Sequence, residues 1–125
     1  MRVICTRILP NAYIRIENHV FTATRQQTRK TTHFMAAEKK LEIKLRDGVK
    51  VLGGLALKLV GSGFTGLPDR LVLMPGGRLY FVEMKAPGKK PSPRQRYVIG
   101  WLRKMGFSVW VIDNQYTIDI FLLQL

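Results

Sequence analysis

Two short apolar runs with charged residues at their ends restrict the fold of this chain more than any other feature. The runs, within 69–74 and 78–85, are separated by Pro75-Gly76-Gly77, which are residue types typical of a turn between antiparallel strands. Asp69 begins the first run, while Glu83 and Lys85 end the second. Because side chains two residues apart in a strand point to the same face, Glu83 and Lys85 share one face of the predicted hairpin.

The length of the turn decides whether the two acids meet. A turn centred on Gly76 places Asp69 opposite Glu83, and directly opposed residues share a face. A two-residue turn at 76–77 would instead place Asp69 opposite Met84 and send the acids to opposite sides. The sequence at 75–77 permits a three-residue turn or a bulge, so we predict that the carboxylates converge from adjacent strands.

Two close carboxylates favour a magnesium site. Mg²⁺ takes oxygen ligands, keeps several waters and needs only one or two carboxylates from the protein. Without a cation, the two acids would repel each other and one would stay protonated. Bound Mg²⁺ polarises a phosphate and activates water, and Lys85 can hold that water or neutralise charge in the transition state. A surface Glu–Lys pair beside an Asp that caps a turn is the structural alternative, since Glu-x-Lys alone is a weak motif.

Charge and composition point to a polyanionic partner. The chain has 125 residues, the size of one small domain, and a net charge of +13 from 21 basic and 8 acidic residues. Such a balance favours nucleic acid or an acidic membrane surface, and a ribosomal or architectural protein would give the same signal. Cys5 is the only cysteine, which excludes an intrachain disulfide and a thiolate zinc cluster and fits a reducing compartment. No apolar stretch reaches the roughly 20 residues of a membrane span.

The chain divides into two unequal parts at Met35. Residues 1–34 carry six Arg or Lys side chains against Glu17 alone, and we interpret them as a weakly ordered basic arm or an upstream extension. Residues 35–125 form the predicted domain. Its fold class is α/β, a mixed sheet flanked by helices in the order α-β-β-β-α-β-α. The predicted elements are a helix over 36–52, a strand over 55–60, the two hairpin strands, a helix from 93 to about 105, a strand over 107–112 and a helix over 115–123.

Two helical segments contribute further candidate residues. Glu38 falls on the apolar stripe of the first helix and Glu42 at its margin, and an acid there is costly unless it is paired or bound to a metal. The alternative for Glu38 is a first-turn acid that complements the helix dipole. Ser92, Pro93 and Gln95 have the pattern of a capping box at the start of the second helix.

Basic and aromatic side chains complete the candidate set. A solvated basic rim is the usual explanation for clustered Lys and Arg, but here they neighbour the predicted metal site, so we expect phosphate binding. We expect the larger aromatic side chains to lie in the core rather than to stack on bases. The candidates for phosphate binding are Lys58, Arg70, Lys89, Lys90, Arg94 and Arg96, and the predicted core aromatics are Phe81, Trp101, Phe107 and Trp110.

Three segments together resemble one nuclease family. The segments 66–70 (Gly-Leu-Pro-Asp-Arg), 79–85 (Leu-Tyr-Phe-Val-Glu-Met-Lys) and 92–95 (Ser-Pro-Arg-Gln) are similar to the VRR-NUC family of the PD-(D/E)xK nuclease superfamily. The resemblance covers about residues 35–113. It implies a restriction-endonuclease-like core and cleavage of phosphodiester bonds with a divalent metal, Mg²⁺ or Mn²⁺. The family has stand-alone phage and bacterial members and also occurs as a module of a larger DNA-repair enzyme.

The resemblance also implies roles for individual residues. Asp69 and Glu83 would be metal ligands, the backbone carbonyl of Met84 would add a third, and Lys85 would be the catalytic lysine. Gln95 would lie beside Lys85 near the attacking water or the DNA backbone, and Glu38 matches the family's first-helix glutamate better than Glu42 does.

The sequence hypothesis is a small metal-dependent DNA nuclease. By analogy with the family we expect flap or four-way junction substrates, a homodimer, and action in the cytoplasm of a bacterial or phage-infected cell. The rival is a basic nucleic-acid-binding module that has the fold but no catalytic activity.

Overall fold

A four-stranded sheet with helices on both faces organises the described part of the chain, residues 32–61 and 63–125 of a computed structural model. The order of elements is α-β-β-β-α-β-α, as the sequence predicted. The elements are α1 (covering 32–51 of the described residues), β1 (Leu55–Lys58), β2 (Arg70–Met74), β3 (Arg78–Met84), α2 (Pro93–Lys104), β4 (Ser108–Ile112) and α3 (Gln115–Gln124).

The sheet is mixed, with strand order β1-β2-β3-β4. The first three strands form an antiparallel meander. β4 runs parallel to β3, and such a pair requires a crossover, which α2 provides. The carboxyl end of β3, where Glu83 lies, is therefore adjacent to the loop that leads into α2.

Alternation along the strands gives each face of the sheet its own apolar cluster. Val72, Val82 and Met84 face α1 and α3, and they pack in a cluster with Leu45 and Phe121. The opposite face packs against α2, where Phe81, Val109 and Val111 meet buried residues of the helix. Because Glu83 alternates with Val82 and Met84, its side chain lies on the α2 face. The core thus fixes the side of the sheet on which the site forms.

Local signals explain most of the boundaries. α1 carries Leu41, Leu45 and Val49 as its buried stripe and ends before Gly53-Gly54. The amide of Gly54 donates to the carbonyl of Val49 at 2.9 Å, which closes the helix end. α3 begins after Asn114, whose side chain accepts from the amide of Thr117 at 2.8 Å and so caps the helix.

The first helix and the first strand differ most from their predicted boundaries. The first helix already covers 32–34, which the sequence pattern assigns to the arm, and the prediction for residues 1–31 lies outside the described part of the chain. Leu52 is exposed beyond the helix end, and β1 stops at Lys58, two residues earlier than predicted. No helix among the described residues is both long and apolar enough to cross a bilayer.

The prediction for the aromatic side chains is half right. Phe81 and Trp110 are partly buried and pack against the two core clusters. Trp101 and Phe107, however, are 48% and 42% exposed. Helix α2 has apolar residues on more than one face, and it turns Val98, Ile99 and Leu102 towards the sheet, which leaves Trp101 outside.

Candidate metal-binding and catalytic site

The turn between β2 and β3 has the length that the sequence predicted. Met74 pairs with Arg78, so residues 75–77 form a three-residue connection. Gly76 and Gly77 both have positive φ angles, 80° and 74°, which glycine adopts without the steric penalty of a side chain. The register continues through the pair Arg70–Val82, which places Asp69 opposite Glu83. The two acids therefore lie side by side at one end of the hairpin.

Asp69 is tied directly to β3. Its Oδ2 accepts a hydrogen bond from the backbone N–H of Met84 at 3.1 Å, one residue from Glu83. The side chain of Met84 is fully buried in the α1–α3 core, so only its backbone can take part in the site. The bond orients the Asp69 carboxylate across the strand end and uses one of its two oxygens.

Glu83 is the only buried charged residue of the core in the described part of the chain, with 0% exposure. Its Oε1 lies 2.5 Å from the ammonium nitrogen of Lys85 and accepts a second hydrogen bond from Nε2 of Gln95 at 2.6 Å. Its Oε2 is buried and has no hydrogen-bond partner among the described residues. One oxygen of the carboxylate is thus firmly held, while the other is available to a ligand.

The surroundings of Glu83 oppose its negative charge. Burial raises the pKa of the Glu83 carboxyl above its usual range, and the nearby charge of Asp69 adds to the increase. Lys85 acts in the other direction, through both its hydrogen bond and its charge, but does not cancel the effect of burial. A cation that neutralised both carboxylates would therefore stabilise the ionised form of this buried acid.

Gln95 both closes the cap of α2 and hydrogen-bonds Glu83. The amide of Gln95 donates to Ser92 Oγ at 3.2 Å, and the amide of Ser92 donates to Gln95 Oε1 at 2.9 Å, which completes the predicted capping box. Because Oε1 is an acceptor in this box, the Nε2 group of the same side chain faces Glu83. The start of α2 therefore holds the Glu83 carboxylate in place.

The donor set fits a hard divalent cation. A buried carboxylate oxygen without a partner is rare in proteins, and binding of a cation would satisfy it. Carboxylates of Asp69 and Glu83 and a nearby backbone carbonyl are the oxygen ligands that Mg²⁺ accepts, with water completing the shell. No group of three or more Asp, Glu, His or Cys side chains suited to a metal occurs among residues 32–61 and 63–125, so the set is limited to two carboxylates.

The first-helix acids are placed differently from each other. Glu38 is partly buried, and the structure does not bring it into a ligand group with Asp69 and Glu83. Glu42 pairs with Arg70, whose Nη2 lies 2.7 Å from Glu42 Oε2. The Arg70 side chain is only 13% exposed and links β2 to α1, which sets it apart from the exposed candidates for phosphate binding.

The other predicted basic residues are exposed, and most of them flank the start of α2. Lys89 and Lys90 lie in the loop between β3 and α2, and the Lys89 ammonium lies 5.1 Å from the ring centre of Phe34 on α1. Arg94 and Arg96 follow in the first turn of α2. Lys58 is apart from these four, at the end of the edge strand β1. Four of the six candidates thus form a contiguous exposed basic segment beside the site.

Sequence and structure comparisons identify the family. The chain is 45% identical over 78 residues to the protein named "Putative nuclease p44" of Acyrthosiphon pisum secondary endosymbiont phage 1, and the match covers 62% of this chain and 84% of the phage protein. A solved structure described as a VRR_NUC domain superposes with a TM-score of 0.66 at 33% identity, over 70% of this chain and 95% of that one. This chain belongs to the VRR-NUC family. No protein-family model matches it, so the assignment rests on these two relatives.

Membership in the VRR-NUC family confirms the resemblance drawn from the three sequence segments. The fold class is confirmed as well, since a mixed sheet flanked by helices is the architecture of the solved VRR_NUC domain. Sequence reasoning missed two contacts of the site, the ion pair of Arg70 with Glu42 and the hydrogen bond from the Met84 amide to Asp69. Strand alternation could have shown that Arg70 faces away from Asp69, because neighbours in a strand face opposite sides, but it does not identify Glu42 as the partner.

Proposed function

We propose that this VRR-NUC protein is a metal-dependent nuclease that hydrolyses phosphodiester bonds in DNA. The observation that carries the proposal is the state of Glu83, a buried carboxylate beside Asp69. One of its oxygens is held by Lys85 and Gln95, and the other has no hydrogen-bond partner within residues 32–61 and 63–125. A purely structural role does not account for this arrangement, since a buried acid is costly unless all its oxygens are satisfied. The relatives that match the chain include a phage protein named as a nuclease.

Each residue of the site would have its own role in the proposed hydrolysis. Asp69 and Glu83 would hold Mg²⁺ or Mn²⁺, which when bound supplies Lewis-acid polarisation of the phosphate and of the attacking water. Lys85 would orient that water or offset the charge that develops on the phosphate oxygens. Gln95, which donates to Glu83 Oε1, would hold the carboxylate so that Oε2 stays available to the ion. Exposed Lys and Arg side chains beside the site would bind the flanking phosphates.

The proposal also covers the substrate, the oligomeric state and the cellular location. We propose branched DNA, a flap or a four-way junction, as the preferred substrate, and a homodimer would present two sites to such a junction. A phage relative fits action in the cytoplasm of a bacterial or phage-infected cell. Each of these follows from the family assignment together with the small size of the domain.

Cleavage of a panel of labelled DNAs tests the proposal. Single-stranded, duplex, flap and four-way substrates are incubated with the full chain in Mg²⁺, Mn²⁺ or EDTA. We expect products only with metal. We expect Asp69→Ala to lower the rate at least about 100-fold, because a metal contributes several kcal/mol to the transition state, while DNA binding is retained. Asp47→Ala, which removes an exposed carboxylate from α1, is the matched control and keeps the wild-type rate.

The same panel separates the nuclease from its rival. A non-catalytic binding module would bind these DNAs in a salt-sensitive way but yield no metal-dependent product from any of them. Equal rates for Asp69→Ala and wild type would also contradict the proposal, since any products would then come from another site or from a contaminant.

A further inference from the structure

An exposed aromatic surface lies next to the proposed catalytic site. Phe64, Tyr97 and Trp101 are 40%, 67% and 48% exposed. The guanidinium carbon of Arg94 lies 5.5 Å from the ring centre of Phe64 and 5.7 Å from that of Tyr97, and the Phe64 and Trp101 rings are 6.2 Å apart. We call these four residues the aromatic surface. They form one contiguous group in which the planar guanidinium group of Arg94 contacts the rings of Phe64 and Tyr97.

The local structure holds this surface in a fixed position. Arg94, Tyr97 and Trp101 are spaced three and four residues apart, which places them on one face of α2, while Val98, Ile99 and Leu102 occupy the buried face. Arg94 Nε donates to the carbonyl of Thr65 at 3.2 Å, so the helix is bonded to the loop that carries Phe64. Exposed rings that cluster in this way indicate a binding surface more strongly than single exposed apolar side chains do.

The start of α2 and the loop that carries Phe64 both lie close in the chain to the proposed catalytic residues. Gln95, which hydrogen-bonds Glu83, follows Arg94 in the chain. The loop that carries Phe64 continues to Asp69 five residues later. A strand of nucleic acid with a phosphate at Asp69 and Glu83 would therefore have its neighbouring nucleotides within reach of these rings. The exposed Arg and Lys side chains beside the start of α2 add the positive charge that such a strand requires.

We propose that the aromatic surface stacks the unpaired bases that flank the cleaved phosphate. Aromatic rings and Arg guanidinium planes stack on any base, but only when the base is free of its duplex neighbours. Base-paired DNA would offer these side chains only its backbone. The surface thus selects substrates that carry single-stranded nucleotides next to the scissile bond. This inference rests on the proposed nuclease function and adds a structural basis for substrate choice.

Binding and fluorescence measurements in EDTA test the inference without cleavage. The full chain is titrated with a blunt duplex and with the same duplex carrying an unpaired tail, with 2-aminopurine at the first unpaired position. Stacking on the rings should quench the 2-aminopurine emission. We expect Tyr97→Ala and Trp101→Ala each to weaken binding of the tailed DNA about tenfold or more and to reduce the quenching, with less than a twofold change for the blunt duplex. Tyr97→Phe should restore both signals, because it keeps the ring.

Tyr116→Ala is the matched control, since it removes a tyrosine that is 73% exposed on α3, away from the site. It should leave binding of both DNAs unchanged. Circular dichroism and thermal unfolding check that each variant is folded. If Trp101→Ala does not fold, Tyr97→Ala still provides the test.

Three outcomes would overturn the inference. Equal losses on blunt and tailed DNA would mean that the surface binds the backbone, and unchanged binding would mean that it binds no DNA. If light scattering shows that the ring variants convert a dimer to a monomer with no change in affinity per chain, the surface is an interface between copies. Because the fluorescence test contains no metal, it is independent of the cleavage assay: stacking without cleavage would refute the nuclease proposal, and cleavage without stacking would refute this one.

Discussion

At the scale of single residues, Glu83 is the position where stability and function conflict. Its burial and the charge of Asp69 disfavour the ionised form, and Lys85 and Gln95 compensate for this only in part. A buried ion pair in such a place can often be replaced as a whole by apolar side chains of similar volume without loss of stability. The proposed cation, which would bind the ionised form, would explain why an acid occurs at this position.

Replacement of Glu83 by Gln should reveal this conflict as a pH-dependent gain in stability. Because the pKa of Glu83 is raised in the folded protein, the folded state keeps its proton at pH values where the unfolded chain has lost it. Wild-type stability therefore falls as the pH rises from the ordinary Glu range through the raised pKa. In EDTA, the free energy of unfolding of Glu83→Gln relative to wild type should increase with pH in that window, by up to about 1.4 kcal/mol per pH unit.

Urea unfolding between pH 4 and pH 8 measures this difference, with Asp47→Asn as the exposed control. A difference between Glu83→Gln and wild type that stays constant or shrinks as the pH rises would contradict the burial argument. With Mg²⁺ present, the wild type alone should gain stability at high pH, since the amide cannot replace the anionic ligand.

Residues 69 and 70 show what the sequence could and could not predict at this scale. The face of the sheet on which Asp69 lies follows from the length of the turn. The residue types of Pro75-Gly76-Gly77 allow that length to be predicted from the sequence. The sequence predicted Arg70 beside the site, but a neighbour in a strand points to the other face, and there it meets Glu42. That partner could not be predicted, because the angle at which α1 crosses β2 depends on core packing rather than on local pattern.

At the scale of elements, the loop before β2 and the start of α2 act as a unit. Gly66 has a φ angle of 88°, and a Cβ atom built there would lie 2.8 Å from Cγ of Arg94 and 3.1 Å from its carbonyl oxygen. The close approach of loop and helix therefore requires glycine at this position. Because Asp69 follows three residues later and Gln95 follows Arg94, this contact holds the loop that leads to Asp69 against the helix start that binds Glu83.

Gly66→Ala should consequently impair stability and catalysis together. Gly63→Ala is a close control, since Gly63 has nearly the same φ angle, 85°, and no atom lies within 4 Å of the position that its Cβ would take. Both variants incur the cost of a left-handed backbone, about 1–2 kcal/mol, but only Gly66→Ala also displaces the loop from α2. We expect the free energy of unfolding of Gly66→Ala to be about 1 kcal/mol lower than that of Gly63→Ala. We expect the cleavage rate to fall in Gly66→Ala and not in Gly63→Ala. Equal effects of the two variants on both measurements would show that the contact is unimportant.

Element order and boundaries were largely predictable, whereas the exposed face of α2 was not. The turn, the caps at Ser92 and Asn114 and the stripe of α1 are local signals, and each predicted element occurs in the structure. In α2, apolar side chains occur on more than one face, so the sequence could not show which face would be buried. The sheet decides this, since β4 packs against Val98 and Leu102 and leaves Trp101 to solvent.

At the scale of the whole molecule, the net charge of +13 can act in two ways. It can attract DNA diffusely, in which case every exposed cation contributes alike, or it can act through the basic segment beside the site. The position of that segment, in the loop after β3 and the first turn of α2, favours the second. Salt dependence distinguishes the two, because each phosphate that a side chain neutralises changes the slope of log K against log salt by about 0.9 for duplex DNA.

Lys90→Gln and Lys50→Gln form a pair that decides between these alternatives. Lys90 lies two residues before Ser92 at the start of α2, whereas Lys50 is exposed sixteen residues along α1 from Phe34, about 24 Å from the end that contacts Lys89. Each change removes one charge, so diffuse attraction would reduce affinity equally. We expect anisotropy titrations in EDTA between 50 and 200 mM salt, the range over which phosphate contacts dominate, to show a slope about 0.9 shallower for Lys90→Gln and an unchanged slope for Lys50→Gln. Equal slopes for the two variants would assign binding to the overall charge, and the basic segment would then have no particular role in placing a phosphate at Asp69 and Glu83.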